Sequence, residues 1–138
     1  DLTGIELCTR LRELYLSGNN SSDISILRNL SKLEYLYLGH NQISGIWPLT
    51  GLPKLKFPNL SDNEISDISG LENLTNSASL VLNDNNISDI SILRNLTNLQ
   101  SFYLNGNELN IAAYDINIPA LEDNGISVQY DPNSTLKN

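Results

Sequence analysis

The sequence predicts an α/β solenoid, with a curved parallel β-sheet on its concave side and 3₁₀ or extended turns on its convex side. Three observations carry this expectation. Five segments, beginning at Leu11, Leu33, Leu55, Ser77 and Leu99, superimpose at a constant spacing of 22 residues. A fixed period in this range marks stacked units that bury their apolar edges only against their neighbours. Counting Leu11 as position 1, apolar residues recur at positions 1, 4, 6, 11, 14, 17 and 20. Finally, a 22-residue unit is too short for the helical crossover of about a dozen residues that usually joins parallel strands. Compact turns must make the return instead.

The chain opens with residues 1–10, which align with Asp23 to Lys32. They read as the second half of a truncated repeat, so the chain is expected to be a fragment of a longer protein. No secretory or transit signal stands at the start, and no apolar run is long enough to span a membrane. Within each unit, positions 4 and 6 alternate with polar or aromatic neighbours, the signature of a short strand with one buried face. Positions 14, 17 and 20 step by three, which suits a 3₁₀-type turn. Position 9 is Asn in every unit, at Asn19, Asn41, Asn63, Asn85 and Asn107. A carboxamide both donates and accepts, so a buried ladder of them can satisfy the backbone groups left open by a sharp turn after each strand. Runs such as Asn83-Asp84-Asn85-Asn86 lack the ligand spacing of a calcium loop, and the ladder accounts for them better.

The pattern LxxLxLxxNxI, followed by Ser-Asp-Ile-Ser and Leu-[Ser/Thr]-[Asn/Lys], resembles a leucine-rich repeat. The constant length and the Ile-Ser-Asp-Ile corner (Ile65 to Ile68, Ile87 to Ile90) are similar to the short-repeat class of bacterial internalin-like surface proteins. Phosphatase-regulating repeat proteins of eukaryotes share that class. The resemblance covers residues 1–110, with five repeats in residues 11–110, the last incomplete. Past Leu109 the period fails. Residues 111–132 are expected to form a C-terminal cap, with a short helix ending before Pro119 and a strand over Ile126 to Tyr130. This ending also resembles the caps of bacterial extracellular arrays. Residues 133–138 are expected to be a frayed tail.

Three residues depart from the columns. Ser21 stands where Ile should fill the core, Pro58 replaces a strand Leu, and Ser77 replaces a leading Leu. Each should cost on the order of 1–3 kcal/mol if buried as its column implies. Pro within a parallel central strand also removes a ladder donor.

Sixteen acids against eight bases give a net charge of −8, which argues against nucleic acid and against anionic membrane surfaces as partners. The single cysteine, Cys8, falls in the position-20 column with Leu30, Leu52, Leu74 and Leu96, and is expected to be a small buried hydrophobe. His40, the single histidine, sits at position 8 on a turn, without the converging partners of a triad or zinc site. Asn29, Asn73 and Asn95 begin glycosylation sequons, but the repeat itself generates Asn-Leu-Ser/Thr at position 19. No cofactor, metal or catalytic constellation emerges.

What remains is the outward face of the strands. Column 3 reads Glu13, Tyr35, Phe57, Ser79 and Ser101, and column 5 reads Tyr15, Tyr37, Asn59, Val81 and Tyr103. The core does not require aromatics there, and exposed Tyr is enriched at protein interfaces. Glu13, Tyr15, Tyr35, Tyr37, Phe57, Asn59, Val81 and Tyr103 are therefore the candidate partner-binding residues, with cross-strand stacking as the competing explanation. The expected function is non-enzymatic binding of a protein, or a glycan, through the concave strands. The resemblance implies a bacterial secreted or cell-surface setting. An intracellular subunit docking on an enzyme such as a phosphatase, and a structural spacer, are the alternatives. Five or six strands at about 4.8 Å spacing span only ~25 Å, less than a standard interface needs. The face is thus expected to be part of a longer one.

Overall fold

A computed structural model of the chain describes residues 2–133. The expected tail lies, apart from Asn133, outside the described residues. Six three-residue strands, β1 (Glu13–Tyr15), β2 (Tyr35–Tyr37), β3 (Phe57–Asn59), β4 (Ser79–Val81), β5 (Ser101–Tyr103) and β6 (Ser127–Gln129), form one parallel sheet in chain order. Register steps by 22 residues from β1 to β5, as in Glu13 opposite Tyr35 and Leu80 opposite Phe102. The α/β solenoid and its strand and turn sides are as the repeat predicts.

The returns are 3₁₀ turns at Ile5–Leu7, Ser25–Asn29, Trp47–Gly51, Ser69–Leu71 and Ser91–Asn95. A chain of i→i−3 backbone bonds explains the step of three. In the second unit the Leu49 N–H donates to the Ile46 carbonyl, Leu52 to Leu49 and Leu55 to Leu52. Each of those residues therefore returns to the same inner side, and the Ile and Leu of these columns are buried from Ile24 through Leu96. The Ser-Asp-Ile-Ser corner also has a physical cause. Asp23, Asp67 and Asp89 each accept the N–H of the Ser two residues on, at 2.8 Å, which fixes the entry to the turn. These bonds hold Asp23 and Asp67 ionised to lower pH than usual.

Cys8 does not behave as its column implies. It is exposed, as is Leu7 at 80%. Burial at position 20 requires a coil packed on both sides, and among the described residues nothing packs on the outer side of the first coil. Position in a solenoid, not residue type, decides the exposure.

The three departures are accommodated differently. Ser77 is fully buried, and its hydroxyl donates to the Leu55 carbonyl at 2.9 Å, which offsets the burial of a polar group. Ser21 is half-buried and its N–H reaches Asn41 Oδ1. Pro58 is buried in the middle of β3, and pairing from β3 to β4 falls to the single position Asn59 opposite Val81. The missing N–H of proline accounts for the loss. Pro58→Leu is expected to raise stability by about 1–2 kcal/mol, because it adds a donor and apolar volume. Urea melts of the two proteins measure it.

At the far end the chain leaves the period as a π-helical turn, Ala113–Asn117, running into α1 (Ile118–Asp123). The helix thus continues through Pro119 rather than stopping before it. Pro119 lies inside this continuous run of helical backbone, directly after the π-helical turn, where the irregular hydrogen-bond ladder tolerates its missing N–H. Ala113, Ile118 and Leu121 close the core. β6 then adds to β5 in parallel with a step of 26 residues, Ser101 opposite Ser127, in place of the repeat's 22.

Candidate functional site

The strands hold their outward residues in two rows because successive side chains of a strand point to opposite faces. Leu36, Leu80 and Phe102 point inward and are fully buried. Their neighbours face outward. Tyr15 stacks on Tyr37 with centroids 4.6 Å apart and planes at 5°, and Tyr35 stacks on Phe57 at 5.7 Å and 13°. Parallel strands in register bring identical positions within stacking reach, so one column of aromatics becomes a continuous surface. Tyr15 is 65% exposed and Phe57 41%. Tyr35, Tyr37 and Tyr103 are half-buried.

Four of the candidate residues, Tyr15, Tyr35, Tyr37 and Phe57, thus gather on β1–β3. Tyr103 stands apart on β5, beyond Asn59 and Val81 in its column. Asn59 turns its amide oxygen to the N–H and hydroxyl of Ser61 at 3.1 and 2.8 Å, so its acceptor is occupied within its own strand exit. Glu13 accepts a hydrogen bond from the Tyr15 hydroxyl at 3.1 Å. That bond is the main reason the Tyr15 phenol titrates above its usual range. Ser101 and Ser79 bond to each other on the smoother half of the face.

Below the face the Asn column is a ladder. From Asn41 onward each carboxamide ties the backbone of its own coil to that of the preceding one. Asn63 Nδ2 donates to the carbonyls of Leu38, Leu60 and Ser61, and its Oδ1 accepts the Ile43 N–H at 3.0 Å. Asn41, Asn85 and Asn107 repeat the arrangement. Asn19 bonds only within its own turn, to Leu16 and Ser17, and is exposed.

Both rims of the face carry features that a reading of apolar columns overlooks. At the strand exits, position 8 is Gly18, His40, Asp62, Asp84 and Gly106, and all five have positive φ, from 52° at Asp62 to 73° at Gly106. His and Asp tolerate this region better than most residues, and Gly freely. His40 Nδ1 meets Asp62 Oδ2 across the two turns. The restriction of this column to Gly, His and Asp is the signal the sequence carries. At the strand entries, Glu34 lies between Arg12 at 3.7 Å and Lys56 at 2.6 Å. Lys56 is the main cause holding the Glu34 carboxyl below its usual range.

The exit rim ends on Asp131. Its carboxylate accepts the Gly106 N–H and the Asn105 amide, where the preceding units use a carbonyl of the next coil. These bonds lower its pKa from the ordinary 3.8, the Gly106 N–H most of all. A lowered native value makes its contribution complete above 3.8 and lost as pH falls through the lowered one. Asp131→Asn is therefore expected to lower the melting temperature at pH 7 and to match the unsubstituted chain in strong acid. Thermal melts against pH decide it.

Four similarities bear on these geometries. The family model for leucine-rich repeats in two copies matches residues 31–73, and that for a single leucine-rich repeat matches residues 10–30. The chain superposes on internalin C2 of Listeria monocytogenes with a TM-score of 0.86 and 32% identity, over 95% of this chain and 56% of that one. It superposes on a second internalin (inlF) of the same organism with a TM-score of 0.78 and 35% identity, over 97% of this chain and 40% of that one. The chain thus spans roughly half the length of these structures. No curated protein matches it.

Proposed function

The chain is a leucine-rich repeat protein of the 22-residue class, similar to the internalins, and on that premise we propose that its concave face binds a partner protein. The observation that carries the reading is the aromatic surface of β1–β3, formed by the Tyr15–Tyr37 and Tyr35–Phe57 stacks. Stacked rings are already ordered, so a partner covering them forfeits little side-chain entropy. They offer large apolar area edged by hydroxyls, the chemistry that dominates interface energetics. A scaffold role without catalysis fits the repeat fold. Likeness to the internalins supports a bacterial secreted or cell-surface setting.

The test is an array of purified candidate proteins probed with the chain and with a Tyr15→Ala/Tyr37→Ala/Phe57→Ala variant. Loss of the three rings is expected to weaken capture roughly a hundredfold or more while leaving the melting temperature little changed. Trp47→Ala, on the opposite, convex side at 54% exposure, should leave capture intact. Capture that survives the triple variant and disappears with Trp47→Ala would move the site to the convex surface.

A further inference from the structure

The chain is acidic, yet its charge is sorted by edge. Five of its eight basic residues, Arg10, Arg12, Lys32, Lys54 and Lys56, fall at positions 22 and 2, where the chain enters the strands of the first three units. The acid among them is Glu34, shared by Arg12 and Lys56. Arg10, Lys32 and Lys54 have no carboxylate within ion-pair distance among the described residues and are exposed. The other edge is the reverse, with Asp62, Asp84, Glu64 and Glu108 at positions 8 and 10. Units about 4.8 Å apart place Arg10, Lys32 and Lys54 within ~10 Å of one another.

The basic edge is also shaped. Glu34, Lys54, Lys56, Phe57, Asn76 and Ala78 line a depression beside β3. It arises because the long side chains of the third unit give way to Ala78 in the fourth. Asn76 is held there by its bond to the Pro53 carbonyl at 2.8 Å. Phe57 forms the apolar wall and is continuous with Tyr35 through their stack.

We infer that this edge receives an acidic segment of a partner polypeptide, its carboxylates over Arg10, Lys32 and Lys54 and an apolar side chain in the depression against Phe57. The inference rests on the concave-face reading and gives the partner its chemistry. Charge complementarity selects the occupant and its direction. Acidic groups are attracted to the strand entries and repelled from the exits, so the segment runs along the solenoid axis at one edge rather than across the face. An apolar side chain distinguishes this occupant from a bare polyanion, for which Phe57 would offer nothing.

The experiment is titration of the full chain with the capped peptide Glu-Asp-Phe-Glu-Asp, followed by amide chemical shifts at low and physiological salt. Expected are shifts at Lys32, Lys54 and Phe57, with binding weaker at the higher salt as the Debye length shrinks from roughly 30 to 8 Å. Lys32→Glu/Lys54→Glu should weaken binding about tenfold or more, and Glu64→Lys on the far edge should not weaken it. Replacing the peptide's Phe by Ala should also weaken it. Binding unchanged by the Lys reversals, or no binding, overturns the inference. So does a heparin oligosaccharide or DNA oligomer that binds tighter than the peptide and is lost in the same variant. If the peptide fails while array capture still depends on Tyr15 and Tyr37, this inference falls and the concave-face reading stands. If capture is also insensitive to the rings, both fall.

Discussion

Asn63→Ala is expected to lower stability by roughly 3–5 kcal/mol, a large share of the 5–15 kcal/mol typical of a folded domain. The substitution removes no apolar contact of consequence. It leaves the buried Ile43 N–H without an acceptor and takes one donor from the carbonyls of Leu38, Leu60 and Ser61. An unsatisfied buried group forfeits its full desolvation cost, about 1–3 kcal/mol, whereas a bond exchanged with water forfeits less. Asn19→Ala supplies the control. The same residue in the same column is exposed and bonded only within its turn, so its loss should cost only about 1 kcal/mol. Urea denaturation of the two variants separates them. Equal effects would mean that the ladder's contribution is local rather than between coils.

Gly51→Asn is expected to destabilise by about 3 kcal/mol or more, although Asn is what the column favours. Position 19 holds Asn29, Asn73 and Asn95 in other units, so consensus design would choose this change. A Cβ at Gly51 would lie 2.2 Å from the Arg28 carbonyl oxygen and 3.2 Å from its carbon. Those are backbone atoms of the preceding coil and cannot swing away as a side-chain tip can. Either the coils part or the 3₁₀ turn distorts, and each exposes the buried Leu27 and Leu49. Circular dichroism melts should show a drop on the order of 10 °C. An unchanged melting temperature would show that the coils can separate at this turn without loss. Together with Pro58→Leu the result is diagnostic. Both changes restore the repeat, and they are expected to act with opposite signs.

The fold was readable because a 22-residue repeat makes each column an average over five environments. Columns 14, 17 and 20 specified the turns, positions 4 and 6 the strands, and position 9 the ladder. What averaging cannot show is the individual coil. Cys8 shares a column with four buried leucines and is exposed, since burial there needs a neighbour that the first coil lacks among the described residues. Pro119 does not end the helix, because the π-helical turn just ahead of it interrupts the regular hydrogen-bond ladder where its N–H is missing.

The candidate face was legible as columns 3 and 5, but not its division. That Tyr15, Tyr35, Tyr37 and Phe57 meet in two stacks while Tyr103 stands alone depends on which coils are neighbours. The sorting of charge to opposite rims is invisible in the net charge, which sums over the surface and discards position.

The sequence by itself determined the stack of parallel strands, its register, the turn type and the Asn ladder, since each follows from a periodic demand for burial or hydrogen bonding that every unit repeats. Only the tertiary structure decided which members of a column are covered, which aromatics touch, how close one coil lies to the next and where the basic edge opens into a depression. Those properties depend on distances between different units, and a repeat specifies the unit more tightly than the gap.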